Sequence, residues 1–453
     1  MNKSKYFLIS LILLVLALVI LPFLIPIQTY LNQAESIASD KLGTTVTIVD
    51  FKLGFLPSPR LVLKGMNVGK DSDLKVSRLV VIPTLRSLFS SNKLITVKIN
   101  QPVLKKSALG LIAKLTDKPI KPSDISTPNG TSITLEKVVI EDAKLDWPDI
   151  KINNLNIEAE FAQHNILTLA NVETVDGKLK LELKPKADVS DKNGLHLVGH
   201  LTAKDWTLPV GLPLLINQAN MDMAIEGSTL SISNIDIALY EGKVTGSTTL
   251  NWQKNWQLAG KFIVNNMSVR EPASLANYTV KVTGRLFADG QFSSNTKSAR
   301  DLGAKIQANI QFNVKNGVLY GVDLVKAASL LVKQSNGGET VFDTLSGDLH
   351  VAGKQYQFEQ LNIRSGLIAA SGDVTISPNK SLNGTMTVSL KQSVGLIEMP
   401  MNVSGTLNNP SVFPTKAALA GAAIGTALLP GVGTSLGAKA GGALSKFKDM
   451  FGK

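Results

Sequence analysis

The sequence contains no cysteine. Disulfides and thiolate metal sites are therefore excluded, and the chain suits either an oxidising or a reducing compartment. Aromatic residues make up only 6%. No dense Lys/Arg patch with interleaved aromatics occurs. The formal net charge of +12 therefore points away from nucleic acid and toward an anionic membrane surface. Sustained three-four spacing of apolar residues is also scarce, which argues against a helical bundle.

Catalytic chemistry is equally thin. Gly431-Val-Gly433-Thr-Ser-Leu-Gly437-Ala-Lys439 has the texture of a phosphate loop, but Ala438 breaks the Gly-Lys-Ser/Thr order that the chemistry needs. His196 and His200 sit four apart among alternating leucines. On a strand that spacing is ~13 Å, too far for one metal, so they read as solvated strand histidines. Glu141, Asp142, Asp146 and Asp149 surround Trp147-Pro148 without a nucleophile nearby and read as a solvated turn. His164 and His350 stand alone. The expectation is a protein with no catalytic residue, no metal ligand and no cofactor.

What is present is alternation. From Ile310 to Pro414 short segments such as Ile310–Lys315, Val318–Leu324, Gln355–Phe358, Gln360–Arg364, Asp373–Ser377, Thr385–Leu390 and Met399–Gly405 place aliphatic residues on one side only. Asn316-Gly317 reads as a turn, and a helix is expected after Leu324. Period-two patterning cut by Asn, Gly, Ser and Pro is the mark of consecutive antiparallel strands. The same pattern runs through Leu155, Ile157 and Phe161, then Leu179, Leu181 and Leu183. About twenty strands are expected, and open twisted sheets rarely exceed ~10 strands without curling or splitting. The fold class is mainly β: either an ordinary sandwich core or a long curled antiparallel sheet with an apolar side.

The chain of 453 residues divides by composition into 1–30, 31–117, a Pro-rich linker at 118–130, 131–303, 304–414 and 415–453. Lys3 and Lys5 precede an uncharged run from Tyr6 to Ile27 that is long enough to cross a ~30 Å hydrocarbon core. Tyr6, Leu11, Leu14, Leu18, Phe23 and Ile27 would face lipid. The basic flank predicts a cytoplasmic N-terminus and an exported remainder. A cleaved signal peptide is the competing reading, against which the apolar run is long. Leu31–Asp40 predicts a short amphipathic helix that Gly43 ends. The tail from Lys416 carries Gly421 with Gly425, and Gly433 with Gly437 and Gly441. That small-residue spacing predicts a Gly/Ala-rich helical hairpin docked on protein or lying on a membrane; a flexible tail is the alternative.

Two stretches carry distinctive strand-and-turn motifs. The first is Lys41-Leu-Gly-Thr-Thr-Val-Thr-Ile-Val-Asp50 with Leu61-Val-Leu-Lys-Gly-Met-Asn-Val68. The second is Lys315-Asn-Gly-Val-Leu-Tyr-Gly-Val-Asp-Leu324, Thr340-Val-Phe-Asp-Thr-Leu-Ser-Gly347, Ser365–Ser371 and Asn402-Val-Ser-Gly-Thr-Leu-Asn-Asn-Pro410. Together they resemble the AsmA family of bridge-like lipid-transfer proteins, which includes TamB and YhdP, and on that resemblance 31–117 is an AsmA-like N-terminal α+β region and 304–414 an AsmA-like C-terminal β region. The resemblance implies a bacterial inner-membrane protein, single-pass, with its bulk in the periplasm. It further implies a role in moving phospholipid toward the outer membrane and in envelope integrity.

The expected lipid groove is lined by Leu155, Ile157, Phe161, Leu179, Leu181, Leu183, Ile310, Phe312, Val314, Met386, Val388 and Leu390. Burial of apolar area is worth ~25 cal/mol per Å² and is non-directional, so an acyl chain is held without a specific polar contact. At ~4.8 Å per strand the groove would run ~90 Å, which leaves room for outer-membrane or periplasmic protein partners. Two other readings stand beside it: a non-enzymatic scaffold for outer-membrane proteins with a dry, closed sheet, and a membrane-active protein working through the C-terminal hairpin.

Overall fold

A computed structural model describes residues 27–54, 58–84, 87, 92–108, 132–147, 150–162, 166–187, 196–209, 211–329, 337–392, 395–421 and 439. The protein is mainly β. The described strands form one long sheet of 22 strands that does not close on itself, with a few short helices among the described residues. The β4–β5 pair described below is parallel; the other described pairings are antiparallel.

The described residues fall into two compact units, and the division runs through one strand, His196–Thr207. In the first unit helix α1 (Ile27–Leu42) ends at Gly43, whose φ of 61° is a conformation glycine adopts without a Cβ penalty. The strands follow: β1 (Val46–Gly54), β2 (Arg60–Val68), β3 (Leu74–Pro83), β4 (Asn92–Lys105), β5 (Ser132–Trp147), β6 (Ile150–Ala162), β7 (Ile166–Thr174), β8 (Leu179–Pro185) and β9 (His196–Thr207). Leu31 of α1 packs with Val46, Ile48, Phe51 and Val68. The Ser39 hydroxyl accepts a bond from Val46 N at 2.9 Å, and the Glu35 carboxylate accepts one from Ile48 N at 2.5 Å. The outermost strand therefore has backbone donors occupied by its own helix, one way in which folded proteins protect a sheet edge.

In the second unit the strands are β10 (Leu215–Glu226), β11 (Thr229–Leu239), β12 (Gly242–Asn251), β13 (Trp256–Ser268), β14 (Lys281–Val282), β15 (Arg285–Thr296), β16 (Gln307–Tyr320), β17 (Glu339–Ala352), β18 (Gln355–Arg364), β19 (Ile368–Ile376), β20 (Leu382–Gln392), β21 (Gly395–Gly405) and β22 (Pro410–Pro414). Helix α2 (Arg270–Leu275) and helix α3 (Leu324–Ala328) interrupt the series. A packed core joins Leu324, Phe342, Val388, Met399, Met401 and Ala418. Residues 416–421 are helical and root the tail in that core. Farther along, the Lys439 ammonium lies 3.1 Å from the Glu398 carboxylate.

Several turns expected from sequence lie inside continuous strands. Asn316-Gly317 does not end a strand: β16 runs through it and keeps one register with β17 on either side, at Lys315↔Thr344 and Gly317↔Phe342. Asn316 takes φ 52° there. Gln360, φ 51°, does the same within β18, where two separate segments were expected. Glu141, Asp142 and Asp146 lie on β5 rather than in a turn, with Asp142 at φ 54°. Short polar side chains tolerate this left-handed conformation and recover a local bond from it: Asp142 N donates to Asn156 Oδ1, and Gln360 N to Asp373 Oδ1. The register slips by one residue at Asp142 and at Gln360, and a bulge of that kind bends its strand and raises the local twist.

The expected membrane anchor, with Tyr6, Leu11, Leu14, Leu18 and Phe23, lies outside the described residues, as do the 118–130 linker and most of the Gly/Ala tail. Ile27 opens α1. No described helix is long and apolar enough to cross a membrane.

Candidate functional site

The register of the second unit sets one apolar row across its strands. Gly246 faces Phe262, which faces Gly290, then Ile310, Leu349, Phe358, Val374, Gly384, Val403 and Val412. Large and small residues alternate over its first four positions, Gly246, Phe262, Gly290 and Ile310, and large aliphatic and aromatic residues follow from Leu349 to Val374. Phe312, one step away, meets Phe358 edge to face with ring centroids 6.0 Å apart.

Over this row runs a strap. Between β13 and β15 the chain leaves the ladder, forms α2 and β14, and returns. Val280 N donates to Leu407 O at 3.0 Å, in the turn between β21 and β22. β14 pairs with β16 at Lys281↔Tyr320 and Val282↔Leu319. The strap thus ties the end of β16 to the β21–β22 turn, with Val269, Pro272, Ala273, Val280 and Val282 turned to the row beneath. The space enclosed is a hollow of about 450 Å³ whose floor includes Phe312, Val314, Phe358, Leu361, Met386 and Val412. Every lining residue is apolar.

At one end Thr340 secures the hollow. Its hydroxyl accepts a bond from Leu324 N at 3.0 Å and donates to Val322 O at 2.8 Å, all three groups being buried. The Asp323 carboxylate caps α3 by accepting from Lys326 N. Both bonds aim Leu324, which is fully buried, at the hollow's lining.

Of the residues expected in a groove, Phe312, Val314 and Met386 line the hollow. Ile310 is half-buried on the same row. Val388 and Leu390 lie deeper: Val388 has no exposed surface and joins the packed core with Met399. Val269, Pro272 and Val282 escaped sequence reading, because a strap that leaves the ladder carries no period-two signal.

Leu155, Ile157, Phe161, Leu179, Leu181 and Leu183 belong to the first unit and to a row of its own. Leu63 faces Leu79, then Ile99, Ile140, Ile157, Val172, Leu181 and Leu201. Each of these eight is half-buried. Leu155 is buried, and Phe161, Leu179 and Leu183 are half-buried. An aliphatic row spanning eight strands thus keeps part of its surface uncovered.

The other side of these sheets is polar. In the first unit the Lys137 ammonium contacts Glu158 and lies 3.2 Å from Glu160. The Glu158 hydrogen bond, with Glu160 adding to it, raises the Lys137 pKa above the ordinary lysine value. In the second unit His350 is not isolated: its Nδ1 lies 2.7 Å from Asn309 Oδ1 and its Nε2 3.6 Å from Glu359. His196 is half-buried rather than solvated, and its Nε2 has no hydrogen-bond partner among the described residues. Among the described residues no cluster of three His, Asp or Glu could hold a metal ion.

No protein-family model matches the chain, and no curated protein matches it.

Proposed function

We propose that this chain is a non-enzymatic, inner-membrane-anchored periplasmic protein that carries or conducts phospholipid along the apolar side of a curled sheet, in support of the outer membrane. The observation that carries the reading is the strapped hollow of about 450 Å³, lined by apolar side chains alone. Its volume falls in the range of about 300–1,000 Å³ typical of small-molecule sites. Such sites normally also place a few polar groups to fix orientation; here none converges. A ligand held by this surface has an apolar body and keeps its polar part outside. An acyl chain fits that description, and a non-directional surface lets it slide. The half-exposed aliphatic row of the first unit supports the same reading, and so does the resemblance to the AsmA family.

The test is lipid content. The full chain, purified in mild detergent, is extracted and its tightly held lipid quantified by mass spectrometry. Phe312→Glu with Phe358→Glu, or Ile157→Glu with Leu181→Glu, should lower bound phospholipid several-fold; Phe312→Leu should not. Unchanged lipid in the glutamate variants, with circular dichroism intact, would count against the reading. One observation favours the dry-scaffold alternative for part of the sheet: Val388, Met399 and Met401 have no exposed surface, so that end is packed shut. A wild-type protein free of co-purified lipid would favour that alternative throughout.

A further inference from the structure

The antiparallel register of the second unit gathers alternate turns on one rim. Trp256 faces Thr296, Gln307 faces both Ser293 and Ala352, Ala352 faces Gln355, and Ile376 faces Leu382. The β12–β13, β15–β16, β17–β18 and β19–β20 connections therefore lie along a single edge. They carry Lys254, then Lys297, Arg300 and Lys305, then Lys354, then Lys380. Asp301 is the sole carboxylate in those four connections. None of the six cations makes an ion pair among the described residues, and Lys254, Lys297, Arg300, Lys305 and Lys354 are exposed.

The opposite rim is different. There Arg285 is held by Glu241, and Arg270 sits beside Glu271 in α2. Carboxylates and cations are mixed there, whereas the first rim carries six cations to one carboxylate. The first rim also carries Trp252 stacked with Trp256 at 6.1 Å, and Lys380 stands 5.6 Å over the Tyr356 ring. Successive turns on one rim are two strands apart, so positive charge recurs at intervals of ~10 Å.

At its β19–β20 connection this rim borders the hollow. Lys380 O accepts a bond from Leu407 N, and Leu407, Ile376 and Leu382 line the apolar space. We infer that the rim is a rail for phosphate: its lysines and arginine take the headgroups of anionic phospholipids whose acyl chains lie against the apolar row. The inference rests on the proposed function and adds the headgroup class to it. Unpaired cations keep their full field for a phosphate, Trp prefers the boundary between apolar and aqueous layers, and a cation every ~10 Å along the sheet's rim suits a file of single headgroups better than one multivalent anion.

The experiment uses the full chain in mild detergent, loaded from an equal mixture of phosphatidylglycerol and phosphatidylcholine with identical acyl chains. Lipid retained after repurification is analysed by mass spectrometry. The wild type should hold phosphatidylglycerol about fivefold over phosphatidylcholine, equivalent to ~1 kcal/mol for one basic contact, and the preference should shrink as salt screens the rim. In a K297E/R300E/K305E/K354E variant the retained ratio should fall to that of the mixture while total lipid stays the same. A wild-type ratio equal to the mixture, with lipid bound, overturns the rail and leaves the acyl-chain site standing. Failure to retain either lipid overturns the proposed function instead. A variant that loses attachment to phosphatidylglycerol vesicles but keeps its lipid ratio would make the rim a membrane-docking edge and overturn the inference as stated.

Discussion

Gly260 and Phe292 face each other directly across β13 and β15, and a Cβ on Gly260 would stand 2.4 Å from the Phe292 ring. The ring lies where a side chain would otherwise be. At Gly290 the Ile310 side chain comes within 3.0 Å of the same position, and at Gly372 the neighbouring backbone itself does, with Thr385 O at 2.1 Å. A sheet made only of large residues would crowd on its apolar side. Glycines at these pairs let big side chains lie flat across the neighbouring strand and keep the strands close.

Gly260→Val should therefore destabilise the second unit by ~1–3 kcal/mol, the usual cost of overpacking. Urea denaturation should show a lower midpoint with an unchanged slope. Adding Phe292→Ala to the same chain should restore part of the loss, because the two substitutions act on one space. Purely additive losses would contradict this account.

Thr340→Val removes a hydroxyl that serves two buried backbone groups at once. Leaving Leu324 N and Val322 O without it should cost ~1–3 kcal/mol. The α3 end of the hollow should loosen first. Amide exchange at Leu324 should accelerate well beyond that at Met399, in the packed core; equal acceleration at both would point to global unfolding instead.

Glu35→Ala with Ser39→Ala exposes the edge donors of β1. Exchange at Val46 and Ile48 should quicken, and the protein should self-associate more readily through its uncovered edge. Light scattering against concentration measures the second effect. A variant that stays monodisperse would show that the packing of Leu31 suffices to guard the strand.

Asp176 accepts a bond from the Thr174 hydroxyl at 2.6 Å and another from Lys178 N. These bonds, the hydroxyl's first, hold its carboxyl below the usual carboxylate range. A folded-state pKa below the unfolded one contributes stability above the unfolded value, near ~3.9, and that contribution is lost as pH falls through the folded value. Thr174→Val should raise the Asp176 midpoint in a carboxylate NMR titration. No change in midpoint would place the cause elsewhere in the turn.

Strand identity and the apolar side were legible in the sequence because period-two alternation is a local property: Leu179, Leu181 and Leu183 declare a half-buried strand without knowing their neighbours. The helix before Gly43 was legible for the same reason. Bulges were not. Asp142 and Gln360 carry turn chemistry, and only pairing on both flanks turns that chemistry into a skipped residue rather than a chain reversal.

The sequence by itself determined that this chain is a succession of strands with one greasy side, free of thiol chemistry and without a visible catalytic set. Tertiary structure decided what lies against that side. The Val280–Leu407 bond joins residues far apart in the chain, so no local pattern announces the strap or the hollow below it. Register likewise decided that Val388 is sealed while Ile310 is not, and that Lys297 and Lys354 share a rim. These are consequences of which strand lies beside which, a long-range choice made by the packing of the whole sheet.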